Sequence, residues 1–193
     1  MIFNQPRQPI EQQDRSAQRL SSLSKLVAIF EASFSCVHYR VLQSMSAVNA
    51  QASFANGKRL VDVFGGLAFH PLIRHDGLVF TLLHETGHHL SEGCKLSPDC
   101  KLPWAQLACE CSADRWAITD GGKALRVNGA DFRLEAALQQ IEQAVGPKAR
   151  KISSGPAAPT SCWSINWQKR KQALLDGQST VLRTREISSA IPR

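Results

Sequence analysis

The sequence has few of the features that mark membrane proteins, secreted proteins and disulfide-rich scaffolds. No apolar run approaches the roughly 18 residues that a membrane-spanning helix needs. Residues 1–14 contain no apolar segment of the kind found in a signal peptide. Six cysteines in 193 residues fall well below the roughly 8–10% typical of disulfide scaffolds. These absences favour a cytoplasmic protein with reduced thiols and no membrane span, while export without such a signal peptide stays open.

Most of the chain also lacks a net charge. The formal charge is +7, and the nine basic and two acidic residues of 147–193 account for all of it, so residues 1–146 are neutral in sum. A basic tail can contact nucleic acid, an anionic surface or an acidic partner. Trp163 and Trp167 beside such a tail could stack on bases. Since no known nucleic-acid module is present, we favour packing of these tryptophans on the body of the protein.

What the composition does supply is enough apolar material for one folded domain. Hydrophobic residues make up 43% of the chain and charged residues 20%, which excludes a wholly disordered protein. Residues 146–159 are rich in Pro, Gly, Ser and Lys and have the composition of a linker. We therefore predict one folded domain over residues 1–146. Residues 147–193 would form a basic linker and tail, with a possible short helix at 164–176.

The hydrophobic periodicity predicts an α+β fold, with a small antiparallel sheet packed on a central helix and further helices. Alternating residues predict strands at 36–42, 47–55 and 59–64. Asn56-Gly57 predicts a two-residue hairpin turn, because both positions tolerate positive φ. Apolar residues at steps of three and four predict helices, and Gly121-Gly122 should end the third of them. The predicted helices cover residues 11–33, 74–90, 104–118 and 131–145.

The sharpest motif is His84-Glu85-Thr86-Gly87-His88, within the second predicted helix. Positions i and i+4 share one face of a helix, so His84 and His88 can bind one metal ion. Glu85 can then act as a base on a water molecule at the metal. The alternative is an ordinary helix whose two histidines are satisfied by hydrogen bonds.

A second acidic motif follows on the next predicted helix. Two histidines leave a tetrahedral Zn²⁺ in need of one more protein ligand and an open position. Glu110 can supply that ligand, and Asp114, four residues later on the same face, can accept the free ring N–H of a ligating histidine. Ala113 would allow the two helices to approach closely. The alternative is an acidic pair exposed on a surface helix.

Together the two motifs resemble those of the gluzincin metallopeptidases, and most closely the M48-type zinc endopeptidases. The resemblance covers about residues 48–117 and implies a zincin-like fold with one Zn²⁺ per chain. It implies that His84, His88 and Glu110 bind the zinc, that Glu85 is the catalytic base and that Asp114 orients a ligand. The segments that carry it are Val48-Asn49-Ala50, Gly65-Gly66-Leu67, Leu82-Leu83-His84-Glu85-x-x-His88 and Glu110-x-x-Ala113-Asp114-x-x-Ala117.

The implied reaction is hydrolysis of a peptide bond, and two of its details stay open. The first is the donor that stabilises the oxyanion, for which the candidates are Tyr39, Arg74, His89 and Arg115. The second is how the substrate is held. If residues 47–55 form the edge of the sheet, an extended protein or peptide substrate could add to that strand through main-chain hydrogen bonds. Asn49 would then contact the peptide or, equally well, cap a turn.

The cysteines allow several interpretations. Without a C-x-x-C pair, a separate structural zinc site has little support. Free thiols are the favoured interpretation, and a disulfide between Cys94 and Cys100 is the alternative.

The leading hypothesis is therefore a zinc metalloendopeptidase. A regulatory or binding protein is a second hypothesis: it would keep the metal for structure and use the basic tail to contact nucleic acid or an acidic partner. An exported, toxin-like protease is a third.

Overall fold

The computed structural model describes residues 7–92, 103–145 and 170–177, with only the backbone for 103–108 and 145. One α-helix precedes three consecutive strands and the other helices follow them, which fits the predicted α+β class. No helix within the described ranges is long and apolar enough to cross a membrane. The elements are α1 (Ala17–Ser33), β1 (Val37–Leu42), β2 (Ala50–Ala55), β3 (Lys58–Phe64), α2 (Gly65–Ala68), α3 (His75–Leu90), α4 (Pro103–Trp116), α5 (Gly122–Val127), α6 (Leu134–Val145) and α7 (170–177).

Helix α1 begins later than the periodicity predicted. The hydroxyl of Ser16 accepts a hydrogen bond from the backbone N–H of Arg19 at 3.2 Å, so Ser16 is the N-cap of the helix. The residues before it form a short 3₁₀ turn. Leu23, Leu26 and Phe30 are buried on one face of α1 and belong to the main hydrophobic core.

The sheet has three strands in the order β1-β3-β2. Strands β2 and β3 form the predicted hairpin, and Asn56 and Gly57 at its turn have φ values of 51° and 72°. Strand β1 pairs parallel to β3, so the prediction of an entirely antiparallel sheet is wrong. The chain crosses from β1 to the far side of β3 before it enters β2. As a result β3 is the central strand, and its run Leu60–Val63 is buried.

Helix α3 runs through the middle of the protein. Every residue from Gly77 to His89 is buried, because the helix packs against β2, β3, α4 and α6. A helix that is covered on all sides holds its side chains in fixed directions. The predicted metal-binding motif therefore lies on the most rigidly packed element of the described fold.

Helix α4 does not stop at the predicted pair of glycines. The chain continues through a π-helical turn at Ala117–Gly121 and directly into α5. A Cβ atom at Gly121 would lie 2.5 Å from Trp116 Cζ3, so glycine is needed there for close packing against the ring. The interpretation of Gly121-Gly122 as a helix stop is therefore wrong.

Helix α7 packs against the body of the protein although it lies in the predicted tail. Leu174 is buried in the main core, and Lys171 Nζ is 2.8 Å from Glu142 Oε2 of α6. The predicted short helix is therefore present over its described part. The predicted packing of Trp163 and Trp167 lies outside the described residues, and the proposed domain boundary at 146 stays a prediction.

Candidate metal centre

One turn of α3 brings His84, Glu85 and His88 together in the interior. The exposed fractions of these residues are 0%, 1% and 6%, and one potential ligand atom from each lies within 4.8 Å of the others. The Nε2 atoms of His84 and His88 are 3.0 Å apart, as the i, i+4 spacing predicted. This buried group could hold a metal ion.

Glu110 of α4 lies against both histidines. Its Oε2 atom is 3.3 Å from His84 Nε2, and its Oε1 atom is 3.4 Å from His88 Nε2. Ligands bound to zinc at 2.0–2.1 Å with tetrahedral angles are separated by about 3.3 Å. Each of the three separations among His84, His88 and Glu110 is close to this value, although a different carboxylate oxygen of Glu110 faces each histidine.

The crossing of α3 and α4 places Glu110 at this distance. Ala113 is completely buried, and its backbone lies against Gly87 of the motif. Two small residues at the crossing allow the helix backbones to approach closely. The sequence-based expectation for Ala113 agrees with this contact.

Hydrogen bonds fix the orientation of both imidazole rings. His84 Nδ1–H donates to Asp114 Oδ1 at 2.7 Å, and His88 Nδ1–H donates to Cys109 Sγ at 3.0 Å. These bonds place the ring proton on Nδ1, and the Nε2 atoms of both rings then face Glu110. Such outer partners set the tautomer of a ligating histidine, and the predicted role of Asp114 is consistent with its position.

Charges differ sharply within the cluster. Burial lowers the pKa of His84, but the charge and hydrogen bond of Asp114 outweigh burial and raise that pKa to about 9. Burial, together with the charge on His84, lowers the pKa of His88. Burial raises the pKa of Glu110, but its hydrogen bond to His84 dominates and holds that pKa well below the usual range. Without metal, the pair of histidines therefore carries one positive charge near neutral pH, on His84.

The two carboxylate oxygens of Glu85 lie in different environments. Its Oε2 atom accepts a hydrogen bond from the backbone N–H of Ala52 at 2.9 Å. Its Oε1 atom is buried and has no hydrogen-bond partner among the described residues. Burial is the main cause that raises the pKa of Glu85. A carboxylate with one tethered oxygen and one unsatisfied oxygen is suited to accept a proton.

Strand β2 brings its outer edge to the same place. In an antiparallel ladder, alternate residues direct their backbone groups away from the partner strand. Because the N–H of Ala52 reaches Glu85, Ala50 and Phe54 face the same free edge as Ala52. No strand other than β3 pairs with β2 in the part of the chain that the structure describes. Glu85 therefore lies beside an open sheet edge.

Asn49 lies immediately before this strand and is 6% exposed. Its backbone carbonyl accepts the N–H of Phe64 at 3.0 Å. Its buried side-chain oxygen Oδ1 has no partner among the described residues. The structure therefore places Asn49 at the end of the candidate substrate strand without assigning it either of the two expected roles.

The four oxyanion candidates lie in different environments. The buried hydroxyl of Tyr39 pairs with Thr86 Oγ1 at 2.8 Å, and His89 Nε2 contacts the carbonyl of Leu60 at 2.9 Å. Both side chains thus connect α3 to the sheet. Arg74 precedes the first residue of α3, about 15 Å along the helix from His84. Arg115 is exposed on α4.

Arg170 is the site residue that sequence reasoning missed. Its guanidinium donates from Nε to Asp114 Oδ2 at 2.5 Å and from Nη2 to Asp114 Oδ1 at 2.6 Å. The same Nη2 atom is 3.6 Å from Glu110 Oε2. No local pattern in the sequence indicates this contact, because Arg170 is one of several basic residues in the predicted tail.

The cysteines only partly follow the expectation of free thiols. Cys36 is exposed and Cys111 half-buried, and neither forms a disulfide. Cys109 is disulfide-bonded, so the expectation is wrong for this residue. The alternative pairing of Cys94 with Cys100 lies outside the described residues.

Comparisons with protein-family models, with curated proteins and with solved structures find no match to this chain.

Proposed function

We propose that this protein is a zinc-dependent endopeptidase with a zincin-like fold. The observation that carries the proposal is the set of separations among His84 Nε2, His88 Nε2 and the carboxylate of Glu110, which are 3.0, 3.3 and 3.4 Å. Each value is close to the separation of about 3.3 Å between two ligands of a tetrahedral zinc ion, with one oxygen of Glu110 facing each histidine. The buried carboxylate of Glu85 lies beside the two histidines, and we assign it the role of base.

The chemistry of the donors favours zinc over harder cations. Two imidazoles and one carboxylate suit Zn²⁺, whereas Mg²⁺ and Ca²⁺ prefer oxygen ligands only. Three protein ligands leave a fourth position for water or substrate, which is the pattern of catalytic sites. When bound, Zn²⁺ would lower the pKa of a water molecule and polarise the scissile carbonyl.

Glu85 would carry the proton during hydrolysis. Oε1 has no partner among the described residues, and it would accept a proton from the attacking water and later deliver it to the leaving amine. The N–H of Ala52 holds Oε2 in place, so that Oε1 is the oxygen left to take part in proton transfer. The raised pKa of Glu85 brings its proton affinity closer to that needed for both transfers.

The substrate would be an extended segment of a protein or peptide. The free edge of β2 lies beside Glu85, and its outward N–H and C=O groups can pair with a further strand. Binding of this kind relies on main-chain hydrogen bonds and tolerates many side chains. We therefore propose a protein substrate recognised mainly by its backbone conformation.

The test combines metal analysis with a matched pair of variants. Wild-type protein should hold about one zinc per chain. Glu85→Gln should keep the zinc and lose peptide cleavage, whereas Glu135→Gln, at an exposed position of α6, should keep both. The substrate can be found by comparing new protein termini in the native host with wild type and with Glu85→Gln. Wild-type protein that binds zinc but cleaves neither peptides nor unfolded proteins would contradict the proposal.

The binding-protein hypothesis gains no particular support from the described contacts. Two basic residues of the predicted tail, Arg170 and Lys171, form ion pairs with the body of the protein. Their charges are therefore already partnered. Contact of the remaining basic residues with nucleic acid stays a prediction, and DNA binding at low salt that survives Glu85→Gln would support it.

A further inference from the structure

We propose that Arg170 is a positioning residue of the metal centre, which acts through Asp114 and couples helix α7 to metal binding. This inference rests on the proposed function only in so far as His84, His88 and Glu110 bind zinc. It assigns a role to a segment that the sequence presented as a basic tail.

The geometry of the contact is that of a two-point clamp. Arg170 donates from Nε and Nη2 to the two oxygens of Asp114 at 2.5 and 2.6 Å. A bidentate pair fixes the plane of a carboxylate as well as its position. Oδ1 of that carboxylate also accepts the Nδ1–H of His84 at 2.7 Å. Arg170 thereby positions the carboxylate of Asp114, which in turn positions the ring of His84.

The contact is largely shielded from water. The exposed fraction of the Arg170 side chain is 20%, and that of Asp114 is 9%. Burial raises the pKa of Asp114, but the charge of Arg170 dominates and keeps that pKa below its usual value. Without Arg170, the enclosed carboxylate would lose the cation that balances it and the two hydrogen bonds that fix its plane, so it could rotate. That rotation would release His84 from its orientation.

Arg170 Nη2 has two further neighbours in the site. It is 3.4 Å from His84 Nδ1, but both nitrogens already donate to Asp114, so no hydrogen bond forms between them. Nη2 also lies 3.6 Å from Glu110 Oε2. The guanidinium thus lies between the carboxylates of Asp114 and Glu110, where its positive charge offsets their mutual repulsion.

Helix α7 connects this clamp to the core. Leu174 is buried in the main hydrophobic cluster, and Lys171 is paired with Glu142. Coupling between two sites is reciprocal. If the docking of α7 strengthens zinc binding, then zinc binding must strengthen the docking of α7 by the same factor. The C-terminal segment would then be held more tightly in the metal-loaded protein than in the metal-free protein.

The first test measures zinc affinity by competition with a chromophoric chelator, in full-length protein. Arg170→Ala should weaken zinc binding about ten- to hundredfold, the usual effect of losing such an outer partner. Arg170→Lys keeps the charge but not the fork and should give an intermediate affinity. Gln172→Ala, at an exposed position of the same helix with a hydrogen bond to Asp176 inside α7, is the matched control and should bind zinc like wild type.

A spectroscopic measurement separates positioning from general destabilisation. With Co²⁺ in place of zinc, Arg170→Ala should shift the visible ligand-field bands, because the orientation of His84 changes. Gln172→Ala should leave those bands unchanged. A folded Arg170→Ala variant with wild-type zinc affinity and a wild-type Co²⁺ spectrum would overturn the proposal.

The reciprocal measurement needs no variant. In wild-type protein, zinc should slow the amide hydrogen exchange of residues 170–177, and the exchange of the distant hairpin turn at Asn56-Gly57 should stay the same. This result decides the matter even if Arg170→Ala does not fold. Equal exchange of 170–177 with and without zinc would refute the coupling. Wild-type protein that binds no zinc at all would instead refute the proposed function.

Discussion

The backbone of Gly87 lies directly against the backbone of Ala113, where helices α3 and α4 cross. A Cβ atom at position 87 would be 2.9 Å from both Cα and the carbonyl oxygen of Ala113. These are backbone atoms, so relief requires that one helix moves. Since α3 carries two candidate ligands and α4 carries the third, this contact determines whether the three can meet.

Gly87→Ala should therefore separate the ligands. We expect a loss of about 1–3 kcal/mol in the free energy of unfolding from overpacking, although alanine is the better helix former by about 1 kcal/mol. Zinc affinity should fall as well, because Glu110 moves away from the histidines. Chemical denaturation and zinc competition measure the two effects.

Gly77→Ala is the control for this prediction, on the same helix. A Cβ atom there would approach Gln140 Oε1 at 2.9 Å, the end of a side chain that can turn aside. Zinc affinity should stay at the wild-type value. If Gly87→Ala also binds zinc normally, the helix crossing does not govern the site.

Zinc binding should release about one proton per metal near neutral pH. The pKa of His84 is raised to about 9, so its Nε2 proton must leave before the metal binds. Apparent affinity should rise about tenfold per pH unit below pH 9. Calorimetry in buffers of different ionisation enthalpy measures the proton release. Affinity that is independent of pH between 6.5 and 8 would contradict the charge assignment.

The stability of the metal-free protein, unlike its affinity for zinc, should fall as the pH rises. The folded pKa of His84 lies above its unfolded value of about 6.5, so the stabilising charge is fully present below 6.5 and is lost as the pH rises through about 9. Denaturant midpoints of chelator-treated protein should fall over this window. His84→Ala should remove this fall of the midpoint with pH. If the midpoint of the variant falls as in wild type, other groups cause the dependence.

Removal of the metal should lower thermal stability. A ligand present at one hundred times its dissociation constant stabilises the folded state by about 2.7 kcal/mol, which corresponds to about 5–10 °C in a chain of this size. Calorimetric scans with and without a chelator measure the shift. His84→Ala, which lacks a ligand, should unfold at the same temperature in both conditions.

Leu174→Ala should destabilise the whole protein. Leu174 is 4% exposed and lies in the main core, so its truncation should cost about 2–5 kcal/mol. Gln172→Ala, at an exposed position of the same helix, should change the unfolding free energy by less than about 0.5 kcal/mol. Equal stability of the two variants would mean that α7 does not contribute to the folded body.

The local parts of the site could be predicted from the sequence. His84, Glu85 and His88 follow from helical spacing alone, and Glu110 and Asp114 show the same i, i+4 relation on the next helix. Such patterns survive folding because α3 and α4 are regular helices. The Asn56-Gly57 turn was predictable for the same reason, since its backbone conformation depends on two adjacent residues.

The long-range parts could not be predicted in this way. The parallel pairing of β1 with β3 depends on where the chain crosses the sheet, which leaves no periodic signal. The contact between Arg170 and Asp114 joins residues 56 positions apart. The sequence around an arginine in a basic tail does not indicate whether its side chain is buried or exposed. Gly121 was misread because glycine serves close packing as well as helix termination.

The hydrogen bond from Ala52 to Glu85 has a consequence for the kind of target that the proposed protease would select. A strand can join the edge of β2 only if its own N–H and C=O groups are unpaired. In a folded target those groups are already used within its own helices and sheets. Selection would then depend on the folding state of the target, so that unfolded or locally opened chains are cut and intact ones are spared.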